Sequence, residues 1–497
     1  MDLDRDSCYR AFTSRDPRFD GRFFVGVRTT GIYCRPICPA RTPRATNVEF
    51  FPCAAAAEES GFRACRRCRP ETAPGTPAWN GSSTTVARAL RLIRDGALDE
   101  AGLPELAARL GVGERHLRRL FTRHLGASPL AVARTRRVHF ARRLIDETDL
   151  PMGHVANGSG FRSVRQFNHD VRRTFHASPT ELRRRVRREA ADAEGITLHL
   201  PYRPPLDWGQ FVAYLELRAL PGVEAIDASG YRRAVRGRNG PGLLEVSPVP
   251  SADRLRLHVV VDGESDLIGI VERVRRLFDL ETDPAPIAAH LRRDPILRPR
   301  VDARPGLRVP GAFDPLEVAV RAVLGQQVTV RGATTIAGRL VRRFGEPLAT
   351  PRAGLTHLFP SPETLAEADL AALGMPGRRA AAIRGLAAAV ARGTLDLSAM
   401  ATREEAVRAL AALPGLGSWT AEYVALRAMA CPDAFPAGDL GLRKAVSTTG
   451  EPASARELAV RAESWRPWRG YAAMHLWSEP GIARRRPGRK GHEARVR

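Results

Sequence analysis

Four cysteines near the amino terminus constrain the fold of this 497-residue chain more than any other feature of its sequence. Cys34 and Cys38 are separated by three residues, and Cys65 and Cys68 by two. Two close pairs supplied by separate loops can close a tetrahedron of thiolates around zinc. The spacing therefore predicts a small zinc domain over residues 1–78, where metal binding stabilises a segment too short to hold a large core.

The other three cysteines, Cys8, Cys53 and Cys431, lack partners at such spacing, so we expect them to be buried thiols. An odd total of seven cysteines, unevenly placed, argues against a disulfide scaffold and favours a reduced, cytoplasmic setting. No run of about 18 uninterrupted apolar residues occurs, so neither a transmembrane helix nor a membrane partner is expected.

The formal net charge of +24 favours a polyanionic partner. Nearly all of the positive charge is arginine, since lysine occurs only as Lys444 and Lys490, and abundant Ala, Gly and Pro beside it are typical of GC-rich codon usage. The location of the charge is therefore more informative than its total. Residues 84–188 hold 22 arginines and 10 acidic residues, half of the whole excess, which indicates a nucleic-acid-binding region.

Changes of composition along the chain predict several domains. A linker rich in proline and glycine follows the cysteine region. Leu255, Leu257 and Val259 alternate with polar residues, which is typical of a strand, whereas the later part is helical and rich in Ala and Leu. The expected fold class is multidomain α+β. We expect a zinc domain at 1–78, an all-α domain at 84–188, a mixed sheet-and-helix subdomain at 195–300, an all-α core at 301–482 and a basic, disordered tail at 483–497.

The all-α domain contains two patterns typical of a helix-turn-helix. The first runs from Leu103 through a turn at Gly111 into a second helix at 115–121, and the other turns near Gly158 and Gly160. A helix-turn-helix places its second helix in the major groove of DNA. Arginines on these helices are candidate DNA contacts, or alternatively belong to solvated faces. They are Arg118, Arg119, Arg162, Arg165 and Arg172.

A glycine-containing hairpin at 413–417 separates two helical stretches of the last domain. Gly415 and Gly417 allow a sharp turn that presents backbone N–H groups to an anion such as a DNA phosphate, although an ordinary helix–helix turn has the same composition. Trp419 continues the second helix, and Asp439 follows 20 residues later. The alternative role of Asp439 is to cap a helix after a glycine.

Residues 1–75 resemble the amino-terminal domain of the Ada family of methylation-damage proteins. The resemblance rests on Arg-Thr-Thr-Gly-Ile-Tyr-Cys-Arg-Pro-Ile-Cys at 28–38 and Gly-Phe-Arg-Ala-Cys-Arg-Arg-Cys at 61–68. It implies that Cys34 is both a zinc ligand and the acceptor of a methyl group from a DNA phosphotriester. Four thiolates around Zn²⁺ carry a formal charge of −2, and methylation leaves −1. Methylation would thus reduce repulsion of phosphate and strengthen DNA binding.

Residues 84–188 resemble the AraC-type domain, which contains two helix-turn-helix units. The closing segment Phe-His-Ala-Ser-Pro-Thr-Glu-Leu-Arg-Arg at 175–184 carries this resemblance. It implies sequence-specific binding to double-stranded promoter DNA and activation of transcription with RNA polymerase as a partner. Contacts of arginine with phosphate would position the protein, and a few side chains would read bases. The implied location is the cytoplasm, in association with the nucleoid.

Residues 198–482 resemble AlkA-type 3-methyladenine-DNA glycosylase II of the helix-hairpin-helix superfamily. The resemblance implies that Asp439 is the catalytic carboxylate and that Trp419, Tyr423 and Trp477 line the base pocket, where aromatic faces attract a cationic alkylated purine. The alternative is that these aromatic residues pack in the core. The supporting segments are Tyr-Arg-Pro-Pro-Leu-Asp-Trp at 202–208, Arg-Pro-Gly-Leu-Arg-Val-Pro-Gly at 304–311, Arg-Ala-Val-Leu-Gly-Gln-Gln-Val at 321–328 and Trp-Arg-Pro-Trp-Arg at 465–469.

Departures from related families refine this prediction. Members that also cut the backbone carry Lys at the position of Trp419, so a one-step hydrolase without lyase chemistry is implied. Cys431 is the only cysteine in this half, which excludes an iron–sulfur cluster there. Gln327 stands where the best-known member inserts an apolar wedge, which leaves a wedge role for this residue in doubt. The resemblance also implies a monovalent cation on the hairpin carbonyls of Ala411, Leu413 and Leu416.

The sequence thus predicts a damage-sensing regulator fused to a base-excision enzyme. We expect the guanine O6-methyl acceptor domain of full-length Ada proteins to be missing, since no Pro-Cys-His-Arg segment occurs in this sequence. A transcription regulator whose carboxy-terminal half binds DNA without catalysis remains the alternative. The combination of Asp439 with Trp419 and Trp477 favours the enzyme.

Overall fold

The computed structural model describes most of the chain between residues 4 and 478. The predicted linker prolines and glycines at 74–81 and the basic tail at 483–497 lie outside the described residues. The described ranges are 4–73, 84–185, 195–237, 240–261, 267–397, 400, 402–447 and 451–478.

The cysteine region folds around a four-stranded sheet of order β3-β1-β2-β4. Strand β4 runs parallel to β2, whereas the other neighbours are antiparallel. Phe23, Val25 and Val48 are buried beside the cysteines and form a small apolar core. The elements are α1 (Arg5–Thr13), β1 (Phe24–Val27), β2 (Ile32–Cys34), β3 (Val48–Phe51), α2 (Ala54–Glu59) and β4 (Arg63–Ala64).

The next domain is all-α and contains both predicted helix-turn-helix units, α5 with α6 and α8 with α9. The long helix α7 joins them and packs against α8 and α9. Ser128 and Ser178 cap α7 and α10, each followed by a proline at the first helical position. The helices are α3 (Thr84–Arg94), α4 (Ala97–Glu100), α5 (Leu103–Arg109), α6 (Glu114–Leu125), α7 (Pro129–Glu147), α8 (Met152–Gly158), α9 (Val164–Phe175) and α10 (Pro179–Arg184).

The sheet subdomain is built on a five-stranded antiparallel sheet of order β5-β9-β8-β7-β6. The predicted alternation is confirmed in β9, where Leu255, Leu257 and Val259 are fully buried against the helices. The elements are β5 (Ile196–Pro201), α11 (Trp208–Glu216), β6 (Glu224–Asp227), β7 (Gly230–Arg236), β8 (Pro241–Pro248), β9 (Arg254–Val260), α12 (Leu267–Leu277), α13 (Pro284–Leu291) and α14 (Arg298–Ala303).

The last region is helical, apart from a two-stranded hairpin that contacts β7. Helix α15 is buried almost throughout and packs against α18 and α20. The predicted fold class, with a zinc domain, a helix-turn-helix domain and a helical core, is confirmed. The elements are α15 (Pro315–Leu324), α16 (Val330–Phe344), β10 (Pro347–Arg352), β11 (Leu355–His357), α17 (Pro362–Glu367), α18 (Gly377–Ala391), α19 (Arg403–Ala411), α20 (Ser418–Arg427), α21 (Leu440–Ala445), α22 (Ala455–Ala462) and α23 (Arg469–Trp477).

The three cysteines outside the quartet are not all buried as predicted. Cys8 is buried, but Cys53 and Cys431 are only partly so. Cys53 precedes α2 at the junction with α6 and donates to the Leu125 carbonyl, while Cys431 borders a cavity between α3 and the helical core. Both thiols lie at contacts between domains, which spacing alone does not reveal. Within the described part of the chain, no helix combines the length and the apolar character needed to cross a bilayer.

Candidate functional sites

The four cysteines converge at one end of two paired strands. Cys34 ends β2 and Cys65 follows β4, and because these strands are parallel neighbours, both cysteine pairs emerge at the same edge of the sheet. All four sulfurs are buried and lie within 4.8 Å of one another. A zinc tetrahedron with bonds of about 2.3 Å has sulfur–sulfur edges of about 3.8 Å. The donor set and its size therefore fit zinc, and the predicted zinc site is confirmed.

Residues beside the cysteines connect this centre to the rest of the molecule. The Arg35 amide donates to Cys68 Sγ at 3.3 Å, and its guanidinium binds Asp20. Cys34 itself is 6% exposed, and the exposed fractions of the other three cysteines lie between 2% and 8%. Exposure therefore does not distinguish Cys34 from the other ligands.

Two contacts link the zinc domain to the helix-turn-helix domain. The buried Tyr33 hydroxyl donates to Glu58 at 2.9 Å, and His139 of α7 lies 3.1 Å from both groups. Arg66 donates to the Phe175 carbonyl at the end of α9. Residues adjacent to Cys34 and Cys65 thus touch the helix between the two units and the second helix of the second unit.

Four of the five candidate arginines are exposed on α6 and α9, whereas Arg162 lies in the bend just before α9. Arg118 and Arg119 lie on α6, where they contact Glu114 and His116, and Arg165 lies on α9. Arg165 and Arg172 border a shallow basic concavity with Asn168, His169 and Arg173. Arg162 instead donates to the carbonyls of Asp99 and Ala101, which gives it a structural contact between helices.

A second centre lies in the helical region, where Asp439 borders a cavity of about 220 Å³. Asp439 caps α21 and accepts from the Leu442 amide at 3.0 Å. The Trp477 indole donates to the same oxygen, Oδ1, at 3.0 Å, and the Trp419 indole donates to Oδ2 at 3.1 Å. Asp439 is therefore a helix cap, and its carboxylate also faces the cavity between the two tryptophans.

Tyr423 completes the aromatic wall of this cavity. Its ring stacks on Trp419 at 5.4 Å between centroids and meets Trp477 edge to face at 6.2 Å. The three aromatic residues and Asp439 come from α20, α21 and α23, so the structure brings together all four residues predicted for this site.

The hairpin before α20 is exposed and connected to the neighbouring loop. Gly415 has φ of +85° and Gly417 has φ of −79°. Gln326 donates to the Gly415 carbonyl at 3.0 Å and to the Thr420 hydroxyl at 2.9 Å. Gln327, the next residue, is exposed and has φ of +57°.

Polar residues that were not predicted from the sequence also line the cavity. Arg427 donates to the Tyr214 hydroxyl at 2.6 Å and to the Tyr423 hydroxyl at 2.8 Å. Arg427 follows Tyr423 by one helical turn, a signal that the sequence offered, but Tyr214 comes from α11 of the sheet subdomain and Arg218 from the turn that follows α11. Arg321 of α15 also lines the cavity and is bound by Glu224 and Glu317.

The electrostatic surroundings act differently on the two tyrosines. Burial is the largest influence on both and raises the pKa of Tyr214 to about 12. For Tyr423, burial also acts upward, but the charges of Arg427 and Arg218 outweigh it and lower the pKa to about 8.

Family models match four consecutive parts of the chain. They are described as the metal-binding domain of Ada at 7–71, a helix-turn-helix domain at 106–185, the AlkA N-terminal domain at 197–314 and the HhH-GPD superfamily base excision DNA repair protein at 320–470. The order of the matches is the order of the structural regions.

One relative covers nearly the whole chain. The chain is 48% identical over 482 residues, 96% of its length, to a protein of Mycobacterium tuberculosis named probable bifunctional transcriptional activator/DNA repair enzyme AlkA, 97% of which is covered. The chain belongs to the bifunctional AlkA family. Its four clustered cysteines, Cys34, Cys38, Cys65 and Cys68, and its Asp439 pocket lie in two different domains of one polypeptide.

Shorter proteins match the second half of this bifunctional AlkA chain. DNA-3-methyladenine glycosylase 2 of Escherichia coli is 36% identical over 287 residues, 57% of this chain and 97% of that protein. A solved structure of 3-methyladenine DNA-glycosylase from Archaeoglobus fulgidus has a TM-score of 0.51 at 23% identity, covering 56% of this chain and 97% of that one. The similarity to the Archaeoglobus fulgidus structure shows only that the second half of this chain has the same fold.

Proposed function

We propose that this member of the bifunctional AlkA family senses methylated DNA phosphotriesters, regulates transcription and excises alkylated bases such as 3-methyladenine. Family membership supports a transcription regulator fused to a DNA glycosylase. The single observation that carries the enzymatic part is the carboxylate of Asp439, held at the cavity by two indole N–H groups. We assign the sensor to 1–78, the regulator to 84–188 and the glycosylase to 195–300 with 301–482.

Asp439 is the proposed catalytic carboxylate. Cleavage of the glycosidic bond leaves an oxocarbenium-like sugar with positive charge. A nearby carboxylate either stabilises this charge or activates the water molecule that attacks the sugar. The hydrogen bonds from Trp419, Trp477 and Leu442 fix both oxygens in place before the substrate binds. A base must leave the duplex to reach this cavity, and damaged bases cost less to extrude. Trp419 in place of a lysine supports direct hydrolysis without a lyase step.

The excision proposal is tested by release of 3-methyladenine from methylated duplex DNA by the full-length chain. Asp439→Asn is the matched variant, since Asn caps helices about as well as Asp. We expect base release by the wild type and its loss in the variant, with the folded structure retained. Equal release by both proteins would remove Asp439 from the mechanism. No release by either would leave only the alternative, a regulator whose second half binds DNA.

Cys34 is the proposed methyl acceptor. Zinc keeps a ligand sulfur as thiolate at neutral pH, which is the nucleophilic form. The Cys34 sulfur would attack the methyl carbon of the phosphotriester, forming the S–CH₃ bond and releasing the DNA phosphodiester. Loss of one negative charge at the centre would strengthen DNA binding, and the contacts of Tyr33 and Arg66 with α7 and α9 supply a physical connection to the regulator.

Methyl transfer is measured with DNA that carries labelled methylphosphotriesters. We expect label on the wild-type protein and none on Cys34→Ser, while Cys8→Ser, the control outside the quartet, accepts label normally. Label on Cys34→Ser would assign the acceptor to another residue. Unchanged promoter affinity after methylation would overturn the electrostatic switch but not the transfer.

The partners of the regulator are proposed to be promoter DNA and RNA polymerase, and the working location is the nucleoid. Arg118, Arg119 and Arg165 are the proposed contacts to the promoter. For the glycosylase half, the backbone of Gly415 and Gly417 is proposed to hold a phosphate, and Gln327 to contact DNA beside it.

A monovalent cation at the hairpin is a further part of the proposal. The carbonyls of Ala411, Leu413 and Leu416 would hold it, although the Leu413 carbonyl already accepts the Leu416 amide at 3.1 Å. To test this point, the affinity of the protein for DNA is measured in a potassium salt and in the salt of a bulky organic cation at equal ionic strength. Equal affinity would exclude a specific cation.

A further inference from the structure

We infer that a second cavity, between α3 of the helix-turn-helix domain and the glycosylase half, binds a small organic anion with an apolar body, such as an aromatic monocarboxylate. This α3 cavity has a volume of about 140 Å³. It shares no described lining residue with the cavity of Asp439, so it is separate from the site proposed for base excision.

The α3 cavity lies where three parts of the chain meet. One wall is α3, which contributes Arg91, and a second is α12 of the sheet subdomain, which contributes Arg275. The end of α20 and the segment that follows it form the third wall, which includes Met429 and Cys431. A molecule in the cavity therefore contacts both halves of the chain, and its binding stabilises their contact.

Arg275 is the first reason to expect an anion. Its residue is 7% exposed, and the one carboxylate within 4.0 Å of it in the described part of the chain is that of Glu281, 3.7 Å from Nε. Its guanidinium forms no hydrogen bond with any residue that the structure describes. Burial, the largest influence, lowers the pKa of Arg275 to about 10. Because a buried charge without a hydrogen-bonded counter-charge is costly, an anion in the cavity would stabilise this group.

Arg91 supplies a second guanidinium from the opposite domain. Its Nη1 donates to the Met429 carbonyl at 3.0 Å, and no carboxylate lies within 4.0 Å of it among the described ranges. Burial also lowers the pKa of Arg91. Two guanidinium groups that lack a hydrogen-bonded carboxylate thus line one cavity, and a guanidinium can donate two parallel hydrogen bonds to a carboxylate.

The carboxylates of the described lining are engaged with other groups, so they do not satisfy these two arginines. Their presence also disfavours a multiply charged ligand such as phosphate, because like charges repel. The partners are Arg94 for Glu281, Arg136 for Glu272 and the Tyr471 hydroxyl for Asp279, while Arg276 of the lining pairs with Asp95.

The rest of the lining indicates an apolar body on the ligand. Val309, Leu397, Leu426, Met429 and Pro432 contribute to it. An apolar cavity of about 150 Å³ holds one benzene molecule. The α3 cavity therefore has room for a six-membered ring, with a carboxylate directed to the two guanidinium groups.

The test measures binding of benzoate to the zinc-loaded, full-length protein by isothermal titration calorimetry. Benzyl alcohol has the same ring without a charge, and inorganic phosphate has the charge without an apolar body. We expect benzoate to bind with a Kd of about 1 mM or lower, and the other two at least about 10-fold more weakly. Absence of benzoate binding, or equal binding of either comparison ligand, overturns the inference.

Two variants remove the guanidinium groups and keep an unbranched side chain. Arg275→Met and Arg91→Met should each weaken benzoate binding at least about 10-fold, the loss of a charge-assisted hydrogen bond. Arg109→Met is the matched control, since Arg109 pairs with Asp396 at the contact between the halves but does not line the cavity. It should bind benzoate as the wild type does. Binding that neither cavity variant changes overturns the inference.

Cys431 gives a readout in the wild type if the two cavity variants fail to fold. Its partly buried thiol borders the α3 cavity, so bound benzoate should slow its alkylation by iodoacetamide several-fold. Cys53, a partly buried thiol beside Leu125, is the reference and should react at an unchanged rate. Mass spectrometry of the labelled peptides measures both rates. Unchanged alkylation of Cys431 at saturating benzoate would place the ligand elsewhere and overturn the inference.

Discussion

The Asp439 carboxylate caps α21 and is also the proposed catalytic group. Oδ1 accepts from the Leu442 amide and the Trp477 indole, and Oδ2 accepts from the Trp419 indole. In Asp439→Asn the oxygen can retain the two contacts of Oδ1, but the amide nitrogen cannot accept from Trp419. The substitution therefore removes the charge and one hydrogen bond while it preserves the helix cap.

His475 provides a pH-dependent contribution to stability in α23, the helix that also carries Trp477. It is 4% exposed in α23, and burial, with smaller contributions from Arg300 and Arg304, lowers its pKa from 6.5 to about 4. The folded state thus binds fewer protons than the unfolded state, so this contribution is complete above pH 6.5 and is lost as pH falls towards 4. We expect urea unfolding to show a loss of about 2 kcal/mol from this group between pH about 7.5 and about 5.

The comparison for this prediction is His475→Leu, which removes the titrating group. Its free energy of unfolding should vary less with pH than that of the wild type, whatever its absolute stability. The same pH dependence in both proteins would show that His475 does not titrate as the structure indicates.

Single residues show which parts of the site the sequence could predict. Trp419, Tyr423 and Asp439 lie in a short segment that the resemblance to helix-hairpin-helix glycosylases singles out, and they meet at the cavity. Tyr214 and Arg218 could not be predicted, because they reach the cavity only through packing of α11 against α20, a contact between residues some 209 positions apart. The positions of Trp419 and Trp477 in the sequence also could not show that both indoles donate to the Asp439 carboxylate, since ring orientation depends on tertiary packing.

Among the elements, the hairpin between α19 and α20 contains two glycines, which differ in backbone conformation and in the space available for a side chain. Gly415 has φ of +85°, and a Cβ there would lie 2.7 Å from the Ala382 Cβ. Gly417 has φ of −79°, and a Cβ there would meet nothing within 4 Å. Gly415 is thus required by both backbone conformation and the close approach of α18, whereas Gly417 is not.

We expect Gly415→Ala to weaken DNA binding at least several-fold, because the hairpin must shift to relieve strain and the clash with α18. Gly417→Ala retains its N–H and should bind nearly as the wild type does. Affinity for an undamaged duplex, measured by fluorescence anisotropy, makes the comparison. If the two variants bind equally, the hairpin backbone is not the phosphate contact.

The elements that the sequence predicted best are those with a local pattern. The alternation at 255–259 became β9, and the two helix-turn-helix patterns became α5 with α6 and α8 with α9. The β10–β11 hairpin was not predicted, since its residues Pro347–Arg352 are mostly exposed and lack alternation. Its position depends on contacts with β7 of another subdomain.

On the scale of the whole molecule, part of the arginine excess joins domains instead of facing DNA. Arg94 of α3 pairs with Glu281, Arg276 of α12 pairs with Asp95, and Arg22 pairs with Asp283. The charge count in 84–188 includes Arg94 and could not separate it from the arginines available to DNA, because its partner Glu281 comes from a distant part of the chain.

Arg203 forms a buried connection between the zinc domain and the glycosylase half. It is 2% exposed and donates to the Asp20 carbonyl at 2.8 and 3.0 Å and to the Glu281 carbonyl at 3.1 Å. Asp20 also binds Arg35, whose amide contacts Cys68. The zinc centre and the interface therefore share Asp20, and removal of the metal should weaken both.

We expect calorimetry of the wild type to show a glycosylase transition that moves to lower temperature when a chelator removes zinc. Arg203→Met keeps the aliphatic stem but removes the donor to the Asp20 and Glu281 carbonyls, at a cost of about 1–3 kcal/mol for a buried carbonyl left without a partner. It should lower the same transition and abolish its response to the chelator. Arg109→Met, which breaks an exposed ion pair with Asp396 worth at most about 1 kcal/mol, should behave as the wild type. If the transition temperature of the wild-type glycosylase half does not change when zinc is removed, the two halves are joined without being coupled in stability.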